Sequence, residues 1–218
     1  MIPAVIIPVL NRFDLLEECI SSIDCEVEHL LIVDNSGQYS MPSGLYGGKV
    51  TVLNMPANMG VAGSWNLGIK SFPFAPYWII GSNDIKYAPG QLQKLADNSN
   101  PDVVIKTSQA WSSFSIGSNI IKKVGLFDEN YHPAYYEDND YESRMDRLGL
   151  GDSCQSKNIN VIAYSAATTI QNEERLFNRN IVTNESNFQY WQNKFSSEGA
   201  VNAGHYDLQR RIDNDLFS

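Results

Sequence analysis

The chain has 218 residues, of which 43% are hydrophobic, 11% aromatic and 19% charged. This composition excludes a disordered chain, a collagen-like fibre and a long coiled coil, and the length suits one ordinary domain. With 16 basic and 25 acidic residues the net charge is −9, so no overall field draws the protein to nucleic acid or to an anionic membrane. A phosphate-bearing ligand would have to be held locally, by backbone amides, a few basic residues or a metal ion.

The cysteines and the apolar runs indicate the compartment. Cys19, Cys25 and Cys154 are odd in number and form no CxxC pair, which argues against a zinc site and against a secreted disulfide framework. The apolar start of the chain lacks the basic region and the cleavage site of a signal peptide. No run reaches the roughly 18 apolar residues that span a bilayer. We expect a soluble, cytoplasmic protein with no membrane span.

Short apolar runs alternate with helical patterns along the chain. Strands are predicted over Ala4–Val9, His29–Asp34, Lys49–Asn54, Tyr77–Gly81, Asp102–Thr107, Phe114–Gly117 and Val161–Tyr164. Helices are predicted over Phe13–Ile23, Gly60–Ser71, Pro89–Ala96, Asp138–Leu148, Phe188–Phe195 and Tyr206–Leu216. The pattern indicates an α/β fold with a mostly parallel central sheet and helices on both faces. We expect a single domain, 1–218, with functional halves of about 1–108 and 109–218.

Polar residues follow the first two strands, at the edge of the sheet where ligands of such folds bind. The first group is Pro8-Val9-Leu10-Asn11-Arg12, for which a strand end and a helix cap are the simpler interpretation. The second is Asp34-Asn35-Ser36, whose carboxylate is able to accept from a base or a ribose hydroxyl. An Asx turn is the alternative for the second group.

Two further motifs occur at the start of the second helix and at the end of the fourth strand. In the segment 58–68, small residues such as Gly60 and Gly63 allow backbone amides to approach an anionic or ribose group. It is neither a Walker loop nor a GxGxxG motif, and tight packing of helix on sheet explains it equally well. In Gly81-Ser82-Asn83-Asp84, a carboxylate at a strand tip suits Mg²⁺ or Mn²⁺, and a simple turn is the alternative.

The longest motif runs from Val124 to Tyr131 and from Tyr135 to Arg144. Within it, Asn139 and Glu142 fit a capping box, and Asp140 and Arg144 an i,i+4 ion pair. Capping does not explain why Glu137 and Asp138 also crowd beside Asp140 and three tyrosines. Clustered carboxylates raise one another's pKa, which is how a general base is tuned.

In this order, the motifs resemble the family 2-like glycosyltransferases of the GT-A (nucleotide-diphospho-sugar transferase) fold. The matching segments are IIPVLNR (6–12), LLIVDNSG (30–37), NMGVAGSWNLGI (58–69), GSND (81–84) and VGLFDENYHPAYYEDNDYESR (124–144). The resemblance implies a nucleotide-sugar donor bound along the carboxyl edge of the sheet. By position the donor site would comprise Pro8, Val9, Asn11 and Arg12 at the nucleoside, Asp34 and Asn35 at the base, and Asn58, Gly60 and Asn66 at ribose and pyrophosphate.

The resemblance also implies roles for the acidic motifs. Ser82-Asn83-Asp84 takes the place of the family's DXD motif, so Asp84 would hold Mn²⁺ or Mg²⁺, with Ser82 in place of the first aspartate. Asp138 matches the family's general base, and Glu137 and Asp140 would bind acceptor hydroxyls. The family's metal-binding histidine is missing from 168–172, which leaves His205 as a substitute. Among the aromatic residues, Trp111 and Tyr136 are the acceptor-stacking candidates, with ordinary packing as the alternative.

These assignments predict a metal-dependent, inverting glycosyltransferase. It would move a hexose or deoxyhexose from a nucleoside diphosphate sugar, UDP being the default over dTDP and GDP, to a hydroxyl of a glycan or glycoprotein. The alternatives are a nucleotidyltransferase of related fold, which lacks support because no glycine-rich basic loop follows the first strand, and an inactive sugar-nucleotide-binding module. A virus-encoded capsid-modifying enzyme in the host cytoplasm, or a domain of a larger transferase, would suit the resemblance.

Overall fold

The computed structural model describes residues 1–164 and 174–196. Its strands are β1 Val5–Val9, β2 Leu30–Asp34, β3 Val50–Asn54, β4 Tyr77–Gly81, β5 Ile85–Tyr87, β6 Val104–Thr107, β7 Ala110–Gly117, β8 Cys154–Ser156 and β9 Val161–Ala163. Its α-helices are α1 Phe13–Ser21, α2 Gly60–Ser71, α3 Gln91–Asn98, α4 Ser118–Val124, α5 Glu137–Arg147 and α6 Glu174–Phe195, with a 3₁₀ turn at Gly151–Ser153. None of these helices is long and apolar enough to cross a membrane.

Seven strands form one sheet in the order β3-β2-β1-β4-β7-β6-β8. Four of its six pairings are parallel, and the two that involve β7 are antiparallel. The predicted halves of the chain therefore share one sheet, because β7 of the second half lies between β4 and β6 of the first half. A separate two-stranded sheet pairs β5 with β9.

The central strands are apolar on both faces because helices cover both sides of the sheet. Val5, Ile7 and Val9 of β1 pack with α1 and α3, whereas Ala4 and Ile6 on the other face pack with α2, α4 and α5. Helix α2 lies close to the sheet: a Cβ added to Gly68 would stand 2.5 Å from the Ile6 side chain. Glycine is required at that point of contact.

The predicted elements agree with the structure where apolar runs are long, and α2 and β4 have the predicted bounds. Three short elements were not predicted, namely β5, α4 and β8. The capping-box prediction is wrong: α5 begins two residues before Asn139, and the residue that precedes it, Tyr136, has φ 72° and makes no side-chain cap. Helix α6 is longer than the predicted Phe188–Phe195, and the predicted helix Tyr206–Leu216 lies outside the described residues.

Candidate active site

A cleft of about 400 Å³ opens at the carboxyl ends of β1 and β4, between the starts of α2 and α5 and the side of α6. This is the edge at which ligands of open α/β sheets bind. Twelve of the predicted site residues line the cleft: Pro8, Val9, Asn11, Asn35, Asn58, Gly60, Ser82, Asn83, Asp84, Trp111, Glu137 and Asp138. Residues far apart in the chain are thus brought together as predicted.

The amides at the donor end of the cleft hold the loops that form it. Asn35 donates through Nδ2 to Ser64 Oγ at 2.8 Å and accepts at Oδ1 from the Met59 N–H at 2.8 Å. Asn58 Oδ1 accepts from the Gly60 N–H at 2.8 Å. Gly60 has φ +74°, and a Cβ there would stand 2.8 Å from the His132 ring. The packing interpretation of this segment is therefore confirmed, and what the loop offers a ligand is mainly backbone.

Asp84 follows β4 and is nearly buried in the cleft wall. Burial raises the pKa of its carboxyl group above the ordinary value. The adjacent Asn83 fixes the loop, since its Nδ2 donates to the Asn11 carbonyl at 3.1 Å. The described residues contain no cluster of three or more His, Cys, Asp or Glu side chains that would hold a metal alone. One buried carboxylate fits a divalent ion whose remaining ligands are substrate phosphates and water, the usual arrangement for Mg²⁺.

Glu137 and Asp138 form an acid pair in the first turn of α5. Glu137 is 7% exposed, and burial, together with the charge of Asp138, raises its pKa to about 8. Burial also raises the pKa of Asp138, although less. A carboxylate of raised pKa in a cleft is suited to accept a proton at neutral pH. Asp138 therefore has the chemistry of a general base, whereas a Glu137 carboxyl with a pKa of about 8 is mostly protonated at neutral pH.

The backbone before this pair adopts a conformation that non-glycine residues seldom take. Tyr135 and Tyr136 have φ values of 78° and 72°. Asn187 of α6, which is fully buried, donates from Nδ2 to the carbonyls of Ala134 and Tyr135 at 2.8 and 3.2 Å. Strained backbone persists where surrounding structure holds it, and here α6 does so.

Trp111 lines the cleft and packs against Phe114 at a centroid distance of 4.6 Å. Its Nε1 donates to Glu142 Oε1 at 2.6 Å, and Lys106 Nζ donates to the same oxygen at 2.5 Å. The ring is thus held in one orientation by an ion pair behind it. The packing alternative accounts for most of this buried side chain, and stacking on an acceptor sugar stays a prediction.

Asp34, Asn66 and Arg12 do not line the cleft. The Asp34 carboxylate is fully buried and accepts from the N–H and Oγ of Ser36 and from the Tyr39 N–H, the Asx turn that was the alternative interpretation. Asn66 is bonded to the backbone N–H and carbonyl of Phe127. Arg12 forms an ion pair with Asp14 at 2.7 Å. All three have structural partners in place of the expected donor.

Tyr136, Asp140 and His205 also differ from expectation. The Tyr136 ring lies outside the cleft, against Phe188 and Trp191 of α6, at centroid distances of 5.5 and 6.2 Å. Asp140 is fully buried and absent from the cleft wall, so it has no access to an acceptor hydroxyl. His205 and the segment 168–172 lie outside the described residues.

The predicted i,i+4 pair of Asp140 with Arg144 is confirmed, at 2.7 Å and without solvent exposure. Lys194 of α6 donates to Asp140 at 2.6 Å and to the buried Asp128 at 2.8 Å. Tyr131 donates its hydroxyl to Asp140 at 3.2 Å. The network joins α5, α6 and the loop that follows α4, so it positions the helix that carries the acid pair.

Helix α6 supplies cleft residues that the sequence did not reveal, namely Arg179, Asn180 and Thr183. Arg179 is the one basic side chain among the described residues that line the cleft. The N-terminal half of α6 carries the apolar residues Leu176, Phe177, Ile181 and Val182, of which the last three are exposed, so its apolar pattern does not mark the side that lines the cleft. Its place in the cleft depends on contacts between distant parts of the chain.

No protein-family model matches the chain. A 38-residue match, 17% of the chain, is 53% identical to the galactofuranosyl glycosyltransferase of Leishmania donovani, and it spans 9% of that relative's length. Similar solved structures include residues 1–349 of S. aureus TarS in complex with UDP, with TM-score 0.53 and 13% identity over 91% of this chain and 73% of that one.

Two other solved structures are similar. A mutant of Drosophila β1,4-galactosyltransferase 7, complexed with manganese, UDP-Gal and xylobiose, has TM-score 0.53 and 12% identity over 76% of this chain and 71% of its own. GalNAc-T7 with UDP, GalNAc and Mn²⁺ has TM-score 0.56 and 11% identity over 99% of this chain and 54% of its own. The chain has the fold of the GT-A glycosyltransferases, as its motifs predicted.

Proposed function

We propose that the protein is a glycosyltransferase that moves a sugar from a nucleoside diphosphate sugar to an acceptor hydroxyl, in a single displacement with inversion. The observation that carries this proposal is the meeting of Asp84 with Glu137 and Asp138 in one cleft, at the carboxyl edge of a GT-A sheet. The carboxyls are contributed by separate motifs, as a metal-binding role and a base role require.

In the proposed reaction Asp138 is the base. Its carboxylate takes the proton of the acceptor hydroxyl while that oxygen bonds to the anomeric carbon, and the bond to the nucleoside diphosphate breaks on the opposite face. The raised pKa of Asp138 supports this role, because a base takes up a proton more readily when its pKa is closer to the working pH. Glu137 would lie beside the sugar.

The leaving diphosphate needs compensating charge in an acidic protein. Asp84 would hold Mn²⁺ or Mg²⁺, which when bound would neutralise the charge that develops on the diphosphate. Arg179, which lines the cleft from α6, would add a cation. The manganese complexes of two proteins of similar fold support the metal.

The donor and acceptor are proposed by class. UDP is favoured because three proteins of similar fold have been crystallised with UDP or UDP-Gal, and a hexose is favoured by the local match to a galactofuranosyl transferase. A hydroxyl of a glycan or glycoprotein is the proposed acceptor. Trp111, which lines the cleft, would contact the acceptor sugar. Asn11, Asn58 and the backbone of Gly60 would meet the nucleoside.

A thermal-shift screen of nucleoside diphosphate sugars, with Mn²⁺, Mg²⁺ or EDTA, tests the binding step. A ligand at a hundred times its Kd adds about 2.7 kcal/mol to the free energy of unfolding. We expect stabilisation by a UDP-sugar with metal and loss of it in EDTA or in Asp84→Ala. Tight, unchanged donor binding in EDTA for wild type and variant would refute the metal assignment.

Turnover of the best donor tests the chemical step. Asp138→Asn should abolish transfer while leaving donor binding nearly intact, because the amide keeps the shape of the acid and loses its basicity. Asp146→Asn, a change at an exposed aspartate of the same helix, serves as the matched control and should keep wild-type turnover. Equal turnover by Asp138→Asn and wild type would remove Asp138 as the base, and an inactive binding module would show no turnover in any variant.

A further inference from the structure

Glu137 has an unusual environment for a carboxylate. It is the first residue of α5, lines the cleft and is 7% exposed. Within the described part of the chain, its Oε2 is buried and has no hydrogen-bond partner. A buried ionised oxygen without a donor costs more than the same oxygen in the neutral acid, which needs only an acceptor for its proton.

The surrounding charges reinforce this preference. Asp138 is adjacent on α5, and Asp84 lines the same cleft from the loop after β4, so ionisation of Glu137 would place a third negative charge there. Arg179 on α6 is the cation in the wall, and the Tyr135 hydroxyl is the other titratable group that senses Glu137.

Two further charged groups affect the pKa of Asp138: Glu142 raises it and Lys106 lowers it. Backbone amides at the start of α5 favour the ionised form of Glu137, but burial is the larger effect.

We propose that Glu137 works as a neutral carboxylic acid, whose O–H donates a hydrogen bond to an uncharged oxygen of the bound sugar substrate. The donor role rests on the proposed function, whereas the neutral state of the free protein does not. The two carboxyl groups then have different roles: Asp138 accepts the proton of the acceptor hydroxyl, and Glu137 donates a hydrogen bond. The oxygen that it meets is a hydroxyl, ring or carbonyl oxygen, and an ammonium group would be disfavoured there.

The protonation state is measured directly by NMR titration of isotopically labelled glutamate side-chain carboxyls in the free protein. We expect one resonance to titrate near the pKa of about 8. It should be missing from Glu137→Gln and retained in Glu26→Gln, a control at an exposed glutamate. Titration of every glutamate near the ordinary value of about 4.3 would overturn the neutral state.

The hydrogen-bond role is measured with UDP-galactose as probe and UDP as its sugar-free control. Binding of UDP-galactose should move the Glu137 midpoint to higher pH than binding of UDP does, because both ligands carry the diphosphate charge but only the sugar oxygen accepts a hydrogen bond from the protonated form. Turnover should survive in Glu137→Gln, whose amide still donates, and fall by about tenfold or more in Glu137→Ala. Equal losses in the two variants would overturn the donor role.

The outcomes separate the two proposals. If wild type binds neither UDP nor UDP-galactose and the screen finds no other donor, the proposed function fails and the donor role of Glu137 fails with it. The carboxyl titration of the free protein still decides whether the acid is neutral. If a donor binds and turns over but Glu137 titrates as an ordinary acid, the transferase proposal stands and the neutral-acid proposal is wrong.

Discussion

Replacing Asp140 with asparagine should unfold the protein more easily, in contrast to the acceptor-binding role that its motif suggests. The carboxylate is fully buried and accepts from Arg144 at 2.7 Å, Lys194 at 2.6 Å and Tyr131 at 3.2 Å. An asparagine oxygen satisfies at most part of this set, and its NH₂ group faces cations. Breaking a buried ion pair by removing one partner costs about 3–5 kcal/mol.

The lower end of that range applies, because both cations keep other acceptors. Arg144 still donates to the carbonyls of Val124 and Leu126, and Lys194 still pairs with Asp128. A loss of about 3 kcal/mol is a large part of the 5–15 kcal/mol that stabilises a typical domain. For a chain of this size it corresponds to a fall in Tm of roughly 6–12 °C.

Urea unfolding followed by circular dichroism measures the change for Asp140→Asn. Asp146→Asn, at an exposed position of the same helix, is the control and should change the free energy of unfolding by less than about 0.5 kcal/mol. If Asp140→Asn unfolds at the wild-type urea concentration, the network contributes no stability. A change in acceptor affinity without a change in stability would restore Asp140 to the acceptor site.

Three further predictions concern groups near the cleft. Because the pKa of Glu137 is raised to about 8 by burial, the contribution of Glu137 to stability should fall as the pH rises from about 4.5 to about 8, by at most about 1.4 kcal/mol per pH unit, and Glu137→Gln should remove that contribution in pH-dependent calorimetry. Gly60→Ala should lose more stability in urea than Gly90→Ala: both have positive φ, but only Gly60 would press a Cβ on the His132 ring. Burial alone would raise the pKa of Asp128, yet Lys194 lowers it, so Lys194→Met should cost about 3–5 kcal/mol above about pH 4 and progressively less below it, in acid-unfolding curves.

Most of the sheet and its helices could be predicted from the sequence, because the apolar patterns that indicate them are local. The run Tyr77–Gly81 and the helix Gly60–Ser71 have the bounds that apolar pattern and small residues predict. Strands β5 and β9 pair residues 85–87 with residues 161–163, and the three residues of β5 carry no local pattern that predicts this pairing. Short strands whose partner lies far along the chain are beyond periodicity arguments.

The candidate site was predictable as a set of motifs but not atom by atom. Asp138 and Asp140 are two residues apart on one helix, and composition gives them the same chemistry. Their different roles depend on tertiary contacts, because Lys194 of α6 pairs with Asp140, whereas Asp138 lines the cleft. The position of Arg179 in the cleft was equally unpredictable, because the apolar residues near it on α6, such as Ile181 and Val182, are exposed and do not indicate which side of the helix meets the sheet edge.

The contacts divide the acidic side chains into two groups: those held by nearby donors or cations, and those that line the cleft with few cations around them. Asp34 accepts hydrogen bonds from uncharged donors of its own turn, and Asp140 is paired with the cations of Arg144 and Lys194. Asp84 and the pair Glu137-Asp138 remain in the cleft with a single described guanidinium, that of Arg179. A diphosphate entering this cleft meets more negative than positive charge unless Glu137 stays protonated and a cation joins Asp84. The proposed neutral acid and the proposed metal dependence would therefore both follow from one charge imbalance, and each would make the other more important for donor binding.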